Sequence, residues 1–119
     1  MTLPPFETKV DEDRSVVSAS GDLDLSSAPA LERAIERAID GDNDTLTLDL
    51  RGLRFIDSTG LRLVLTTDAR LRERGGHLSV VRGPEVVHRV FELAVLEDRL
   101  TFVDGRDIGD GSTDGEEPT

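Results

Sequence analysis

The residues with the clearest chemical potential form the short run Asp57–Gly60, which lies between two apolar segments. Phe55 and Ile56 precede the run and are expected to be buried, and Leu61 follows it at the start of a helix. Asp, Ser and Thr side chains accept hydrogen bonds from free amides at a helix N-terminus, so a helix cap is the simplest role. Three such side chains in a row exceed the needs of one cap. The second role is a hydroxyl at the positive end of a helix, where an added phosphate meets free amides and a favourable dipole.

Other motifs with chemical potential are incomplete. Asp22–Ser26 resembles the nucleophilic aspartate loop of a class of phosphatases, but the single lysine of the chain precedes this loop, where those enzymes need a later one. Asp40–Asp44 has the spacing of a calcium loop, but Thr45 stands where that loop needs glycine. His77 and His88 have no spaced metal partner and are expected to be ordinary, partly exposed histidines. The sequence, which has no cysteine, therefore predicts no catalytic group, no metal site and no cofactor.

Strand and helix patterns alternate along the chain and place Asp57–Gly60 between a strand and a helix. One helical face recurs from Leu31 to Ile39 at the spacing i, i+3, i+4 and i+7. The patterns predict strands over 7–10, 15–20, 45–50, 77–81 and 100–103, and helices over about 27–40, 57–74 and 84–94. The order β-β-α-β-α-β-α-β predicts an α/β fold in which helices cover a mixed, mostly parallel β-sheet.

Charge and composition exclude several classes of function. The 119 residues include 25 acidic and 14 basic side chains, which gives a net charge of −11. Such acidity disfavours binding to nucleic acid or to an anionic membrane, and no apolar run approaches the ~18 residues of a membrane span. With no signal-peptide pattern, the sequence predicts a cytoplasmic domain over residues 1–103. Residues 104–119 hold six acidic residues and one large apolar residue, Ile108, which predicts a disordered acidic tail.

Seven short pieces of the sequence occur together in a recognisable order and spacing. They are Gly21–Asp24, Ala28–Leu31, Leu48–Leu50, Phe55–Leu61, Arg74–Gly76, Gly83–Val86 and Leu96–Leu100. In these pieces the chain resembles the STAS domain family, and specifically the anti-sigma factor antagonists (anti-anti-sigma factors) of bacteria. The resemblance covers residues 5–104. Each piece is weak alone, but together with the independently predicted element order they make the resemblance strong.

The resemblance implies a partner-switching regulator of transcription rather than an enzyme. In such antagonists the serine after the aspartate, here Ser58, accepts phosphate from an anti-sigma factor that is also a GHKL-type serine kinase. The unphosphorylated antagonist binds that anti-sigma factor and releases the sigma factor, and a phosphatase acting on phospho-Ser58 reverses the modification. The partner-binding residues implied in this way are Asp24, Asp57, Ser58, Thr59, Gly60 and Arg62.

Two of these positions depart from the family pattern. Thr59 stands where many relatives have a second serine, so the sequence leaves open which hydroxyl is modified. Arg62 stands where relatives often have glycine. Because Ser58 and Arg62 are four residues apart, they share a helix face, and Arg62 is either a cation that holds the phosphate or simply a solvated residue.

The sequence leaves two other functions open. The resemblance also allows a structural or regulatory STAS subunit of a transporter or stress-signalling complex, whose Ser58 region contacts a partner without phosphorylation. A small phosphatase that uses Asp22 or Asp24 is the third possibility. For the antagonist we expect a monomer or weak dimer that binds neither nucleic acid nor membrane.

Overall fold

A five-stranded sheet forms the centre of the computed structural model, which describes residues 3–39, 44–96 and 98–105. The strands are β1 Glu7–Asp11, β2 Val16–Leu23, β3 Thr45–Ile56, β4 His77–Val81 and β5 Thr101–Val103. The helices are α1 Ala28–Ala38, α2 Ser58–Glu73 and α3 Glu85–Leu93. The strands lie in chain order, with β1 antiparallel to β2 and all other neighbours parallel. The predicted element order and the mixed, mostly parallel sheet are confirmed.

Two sequence-based predictions fall outside the residues that the structure describes. The first is the turn after helix α1, of which residues 40–43 are not described. The second is the acidic tail, of which only Asp104 and Gly105 are described. The prediction of a tail over 104–119 therefore stays a prediction.

The hydrophobic core lies on one face of the sheet. In β3, Leu46, Leu48 and Leu50 are completely buried and alternate with Thr47 and Asp49, as expected for a strand with one apolar face. The three helices cover this face and join the same cluster of buried side chains, with Leu31, Ala34, Ile35 and Ala38 from α1, Val64 and Leu71 from α2, and Val87 and Phe91 from α3. The core is thus almost entirely aliphatic.

Strand β3 is longer than the sequence predicts, and this extension carries the site. It continues past the predicted end at Leu50 as far as Ile56, because it pairs in parallel with the second half of β2. The register shifts twice, between Ser18 and Ser20 and between Gly21 and Asp22, and at each place β3 holds one extra residue. The expectation that both Phe55 and Ile56 are buried is wrong for Phe55, whose side chain lies outside the core and is 48% exposed. Ile56 faces the core and is 3% exposed.

Two polar residues of the helices are buried, and for His88 this corrects the sequence-based expectation. His88 is 2% exposed rather than partly exposed, because it follows Val87 on the inner side of α3. Its ring packs edge-on against Phe102, with the ring centroids 4.7 Å apart. Asp68 falls within the apolar sector of α2 and is 9% exposed, and its Oδ2 lies 2.9 Å from Nε of Arg72 one turn later. This ion pair compensates the buried carboxylate.

Candidate functional site

The Asp57–Gly60 run lies at the edge of the sheet where β2 and β3 end. Leu23 of β2 pairs with Ile56 of β3, and the N–H of Asp57 donates to the carbonyl oxygen of Leu23 at 3.2 Å. Because parallel strands end at the same edge of a sheet, the turn that follows β2 lies beside the turn that follows β3. The structure therefore brings Asp24 next to the residues that begin α2.

Asp57 caps helix α2. Its backbone is extended, and its Oδ1 accepts hydrogen bonds from the N–H groups of Thr59 at 2.9 Å and Gly60 at 3.2 Å. The first helical hydrogen bond runs from the N–H of Leu61 to the carbonyl oxygen of Asp57 at 3.0 Å. The sequence-based idea that a phosphate here meets free amides thus needs correction, because the Asp57 carboxylate already occupies those of Thr59 and Gly60.

The two neighbouring hydroxyls differ in their access to solvent. Ser58 is the first residue of α2 and is exposed, whereas Thr59 is half-buried. Within the described part of the chain, neither hydroxyl takes part in a hydrogen bond, so neither contributes to the cap. Arg62 is exposed one turn further along α2 and forms no ion pair with the residues that the structure describes. Ser58 is therefore the more accessible of the two candidate acceptors.

Gly60 lets helix α2 begin close to the sheet. It is buried, and a Cβ atom at this position would lie 2.8 Å from Cγ1 of Ile56 and 2.8 Å from Cγ of Leu23. Such distances are shorter than van der Waals contact, so a side chain at residue 60 would push the helix terminus away from the strands. Gly60 thereby fixes where Ser58 stands relative to the ends of β2 and β3.

Asp24 organises the turn before helix α1, which we call the Asp24–Ser27 turn. Its Oδ1 accepts hydrogen bonds from the N–H of Ser26 at 3.1 Å, from the hydroxyl of Ser26 at 2.8 Å and from the N–H of Ser27 at 3.2 Å. The hydroxyl of Ser26, the largest of these influences, lowers the pKa of the Asp24 carboxyl below its usual value. Asp24 is thus an ionised side chain whose hydrogen-bonding capacity is directed into its own turn.

Two exposed apolar side chains beside the site escape sequence reasoning. Leu25 follows Asp24 and is 75% exposed, and Phe55 precedes Ile56 and is half-exposed. For Leu25 a signal exists in the sequence, because a large apolar residue stands alone in the polar stretch Asp24–Ser27. For Phe55 a signal exists as well, because residue 55 is out of phase with the buried leucines at 46, 48 and 50, and the two register shifts in β3 cancel.

A separate cavity lies on the polar face of the sheet that the helices leave open. Its volume is about 450 Å³, and Lys9, Ser18, Asp49 and Arg51 are among its lining residues. Arg51 holds Asp49 through two contacts, Nε to Oδ1 at 3.0 Å and Nη2 to Oδ2 at 2.8 Å. None of the residues Asp57–Gly60 lines this cavity. The Ser58 region lies outside this cavity, at the ends of β2 and β3, and Ser58 itself is exposed.

A metal site and a membrane span each require features that the described residues lack. They contain no group of three or more His, Cys, Asp or Glu side chains placed to hold a metal ion. In the same ranges of the chain, every helix is too short or too polar to cross a membrane.

Replacing Asp57 by alanine is expected to lower the free energy of unfolding by about 1 kcal/mol, because two helix amides lose their acceptor. Replacing Ser58 by alanine is expected to change it by less than about 0.5 kcal/mol, since that side chain is exposed and takes no part in the cap. Urea unfolding followed by far-UV circular dichroism measures both, as the chain has no Trp or Tyr. Asp57→Asn keeps an acceptor oxygen and is the control. Equal losses for Asp57→Ala and Ser58→Ala would show that the cap is assigned wrongly.

The sequence of this chain is similar to a known family and to known proteins. The sequence model of a family described as "Mlab, STAS domain" matches residues 6–104. The anti-sigma-F factor antagonist RsfB of Mycobacterium tuberculosis is 31% identical over 100 residues, covering 76% of this chain and 82% of that protein. The anti-sigma-B factor antagonist of Bacillus subtilis is 30% identical over 93 residues, covering 77% of this chain and 84% of that protein.

A solved structure of a similar protein has the same fold. The crystal structure of an anti-sigma factor antagonist from Mycobacterium paratuberculosis superposes with a TM-score of 0.70 and 28% identity, covering 86% of this chain and 89% of that one. The family match covers most of the chain, and the similar proteins are regulators rather than enzymes by name. The chain belongs to the STAS domain family.

Proposed function

We propose that this protein is an anti-sigma factor antagonist whose partner is an anti-sigma factor with serine kinase activity. The unphosphorylated protein binds this kinase at the N-terminus of α2 and so releases a sigma factor. The kinase phosphorylates Ser58, which ends binding, and a phosphatase restores the active form. The protein acts in the cytoplasm as a monomer or weak dimer. The names of its relatives support the antagonist role.

The proposal rests on the different roles of Asp57 and Ser58 at the start of α2. Asp57 caps the helix, so the exposed Ser58 hydroxyl is not needed for folding and is open to a kinase. A group with no structural role can be modified without unfolding the domain. Thr59 is half-buried and less open to the same enzyme.

Electrostatics supports an inhibitory effect of phosphate at this position. A phosphate adds about −1.5 to −2 charges at neutral pH to a chain whose net charge is already −11. The neighbouring Asp57 carboxylate occupies the amides of Thr59 and Gly60, so those donors do not neutralise the new group. Arg62, exposed one turn along α2, is a cation within the same helix face and is our candidate for partial neutralisation.

The alternative is a STAS subunit of a larger complex, in which the same surface binds a partner and Ser58 stays unmodified. The two functions share the partner-binding residues, and only the antagonist requires the kinase reaction. Phosphate transfer therefore separates them.

Ser58→Ala is expected to abolish phosphorylation while Thr59→Ala, the matched control, leaves it intact. Each variant and the wild type are incubated with ATP and with purified GHKL-type kinases encoded in the same genome, and intact-mass spectrometry counts the phosphates. The wild type is expected to gain one phosphate, which fragment spectra assign to Ser58. A phosphate on Thr59 in the Ser58→Ala variant would contradict the site assignment, and no transfer from any such kinase would favour the subunit function.

A further inference from the structure

We propose that the Asp24–Ser27 turn presents Leu25 as a fixed apolar anchor that inserts into the anti-sigma factor, and that Asp24 acts as the positioning residue of this anchor. The inference rests on the proposed function, because the partner it names is the same kinase. It adds a contact in a different loop, after β2 rather than after β3, and gives Asp24 an indirect role.

The Leu25 side chain is largely exposed, which is unfavourable for a leucine unless a partner covers it. It is 75% exposed at the tip of a short turn, where a leucine gains nothing from burial in the free protein. The turn follows Leu23, whose carbonyl oxygen accepts the N–H of Asp57 at 3.2 Å. A protein that covers the N-terminus of α2 therefore meets the Leu25 side chain as well.

Hydrogen bonds fix the backbone on both sides of Leu25. Asp24 Oδ1 accepts hydrogen bonds from the N–H groups of Ser26 and Ser27 and from the hydroxyl of Ser26, as described above. The hydroxyl of Ser27 accepts a hydrogen bond from the N–H of Asp24 at 2.9 Å and donates to the carbonyl oxygen of Asp22 at 2.7 Å. A loop ordered before binding loses less conformational entropy in the complex, which favours affinity. The turn is thus built as a rigid support for one exposed apolar side chain.

Position and charge together identify the partner that covers Leu25. The turn lies beside the start of α2, where the proposed function places the anti-sigma factor, so one protein meets both. The carboxylates of Asp24 and Asp57 lie in this region, whereas that of Asp22 is paired with Nη2 of Arg54 at 3.2 Å. A second copy of this chain fits poorly, because it carries the same carboxylates and a net charge of −11. The occupant is therefore the anti-sigma factor, which offers an apolar socket to Leu25.

Leu93 offers a matched control for Leu25. It is 77% exposed, and it lies at the C-terminal end of α3. Helix α3 starts after β4 and runs back to the beginning of β5, so Leu93 lies at the edge of the sheet opposite to Ser58. Both leucines can be truncated to alanine without opening the core.

The test measures the affinity of the purified anti-sigma factor kinase, bound to ADP, for the full unphosphorylated chain by isothermal titration calorimetry. Leu25→Ala is expected to weaken binding about tenfold to a hundredfold, as for loss of a buried leucine, and Leu93→Ala to leave it unchanged. Unchanged affinity for Leu25→Ala, or equal losses for both variants, would overturn the anchor. Absence of binding by the wild type would instead overturn the proposed function.

A second pair of variants tests the role of Asp24. Asp24→Ala removes the acceptor that holds the turn, and we expect binding about three- to tenfold weaker. Asp24→Asn keeps an Oδ1 acceptor without the charge and is expected to restore binding to nearly the wild-type level. If Asp24→Asn binds as weakly as Asp24→Ala, the carboxylate contacts the partner directly and the positioning role is wrong.

Discussion

Gly60→Val is expected to destabilise the domain by about 3 kcal/mol or more, which is a large part of the stability of a small protein. The physical reason is the lack of space, since a Cβ alone would lie 2.8 Å from side-chain atoms of Ile56 and Leu23. Helix α2 would have to move away from β2 and β3, and the apolar contacts between them would be lost. Urea unfolding followed by far-UV circular dichroism measures the change in the free energy of unfolding.

Ala69→Val is the matched control for Gly60→Val. It places the same β-branched side chain in the same helix, but at an exposed position. We expect a loss of less than about 1 kcal/mol there, from helix propensity alone. Similar losses for the two variants would show that residue 60 does not fix the approach of the helix to the sheet.

Ser58→Asp is expected to fold normally and to bind the anti-sigma factor kinase at least about tenfold more weakly than the wild type, a difference of ~1.4 kcal/mol. The added carboxylate stands at the first position of α2, where a negative charge does not disturb the helix. It joins Asp57 and Asp24 on the surface that meets the partner. Isothermal titration calorimetry gives the affinity, and urea unfolding checks the fold.

The matched control is Ser58→Asn, which has nearly the same shape as the aspartate but no charge. We expect it to bind more tightly than Ser58→Asp, because the proposed inhibition is electrostatic. Equal affinities for the two variants would attribute the loss to size, and wild-type affinity for Ser58→Asp would remove the electrostatic explanation.

Much of the fold is predictable from the sequence because it depends on local patterns. The apolar face of α1 repeats at helical spacing, and Leu46, Leu48 and Leu50 alternate as a strand with one buried face. The end of β3 is not predictable in this way. Arg51 and Gly52 interrupt the alternation, and the strand continues only because β2 lies beside it. The pattern of neighbouring residues does not predict which distant segments of the chain pair with each other.

The site is predictable only in part, because local patterns predict its helix cap but not the contacts of each side chain. A polar run before a helix predicts a cap, but only the structure identifies Asp57 as the residue that provides it and so leaves Ser58 without a structural role. The position of Asp24 beside this helix follows from the order of the strands, while its hydrogen bonds with Ser26 and Ser27 follow from the shape of one turn. For Leu25 the sequence shows a large apolar residue in a polar stretch, and the structure adds that it is exposed.

The most direct test of the proposed switch compares the affinity of one anti-sigma factor kinase for the same preparation of this chain before and after phosphorylation. Mass spectrometry establishes that the modified sample carries one phosphate, on Ser58, and isothermal titration calorimetry measures both affinities. We predict that the phosphorylated form binds about a hundredfold more weakly, a difference of ~2.7 kcal/mol. Equal affinity of the two forms would contradict the account.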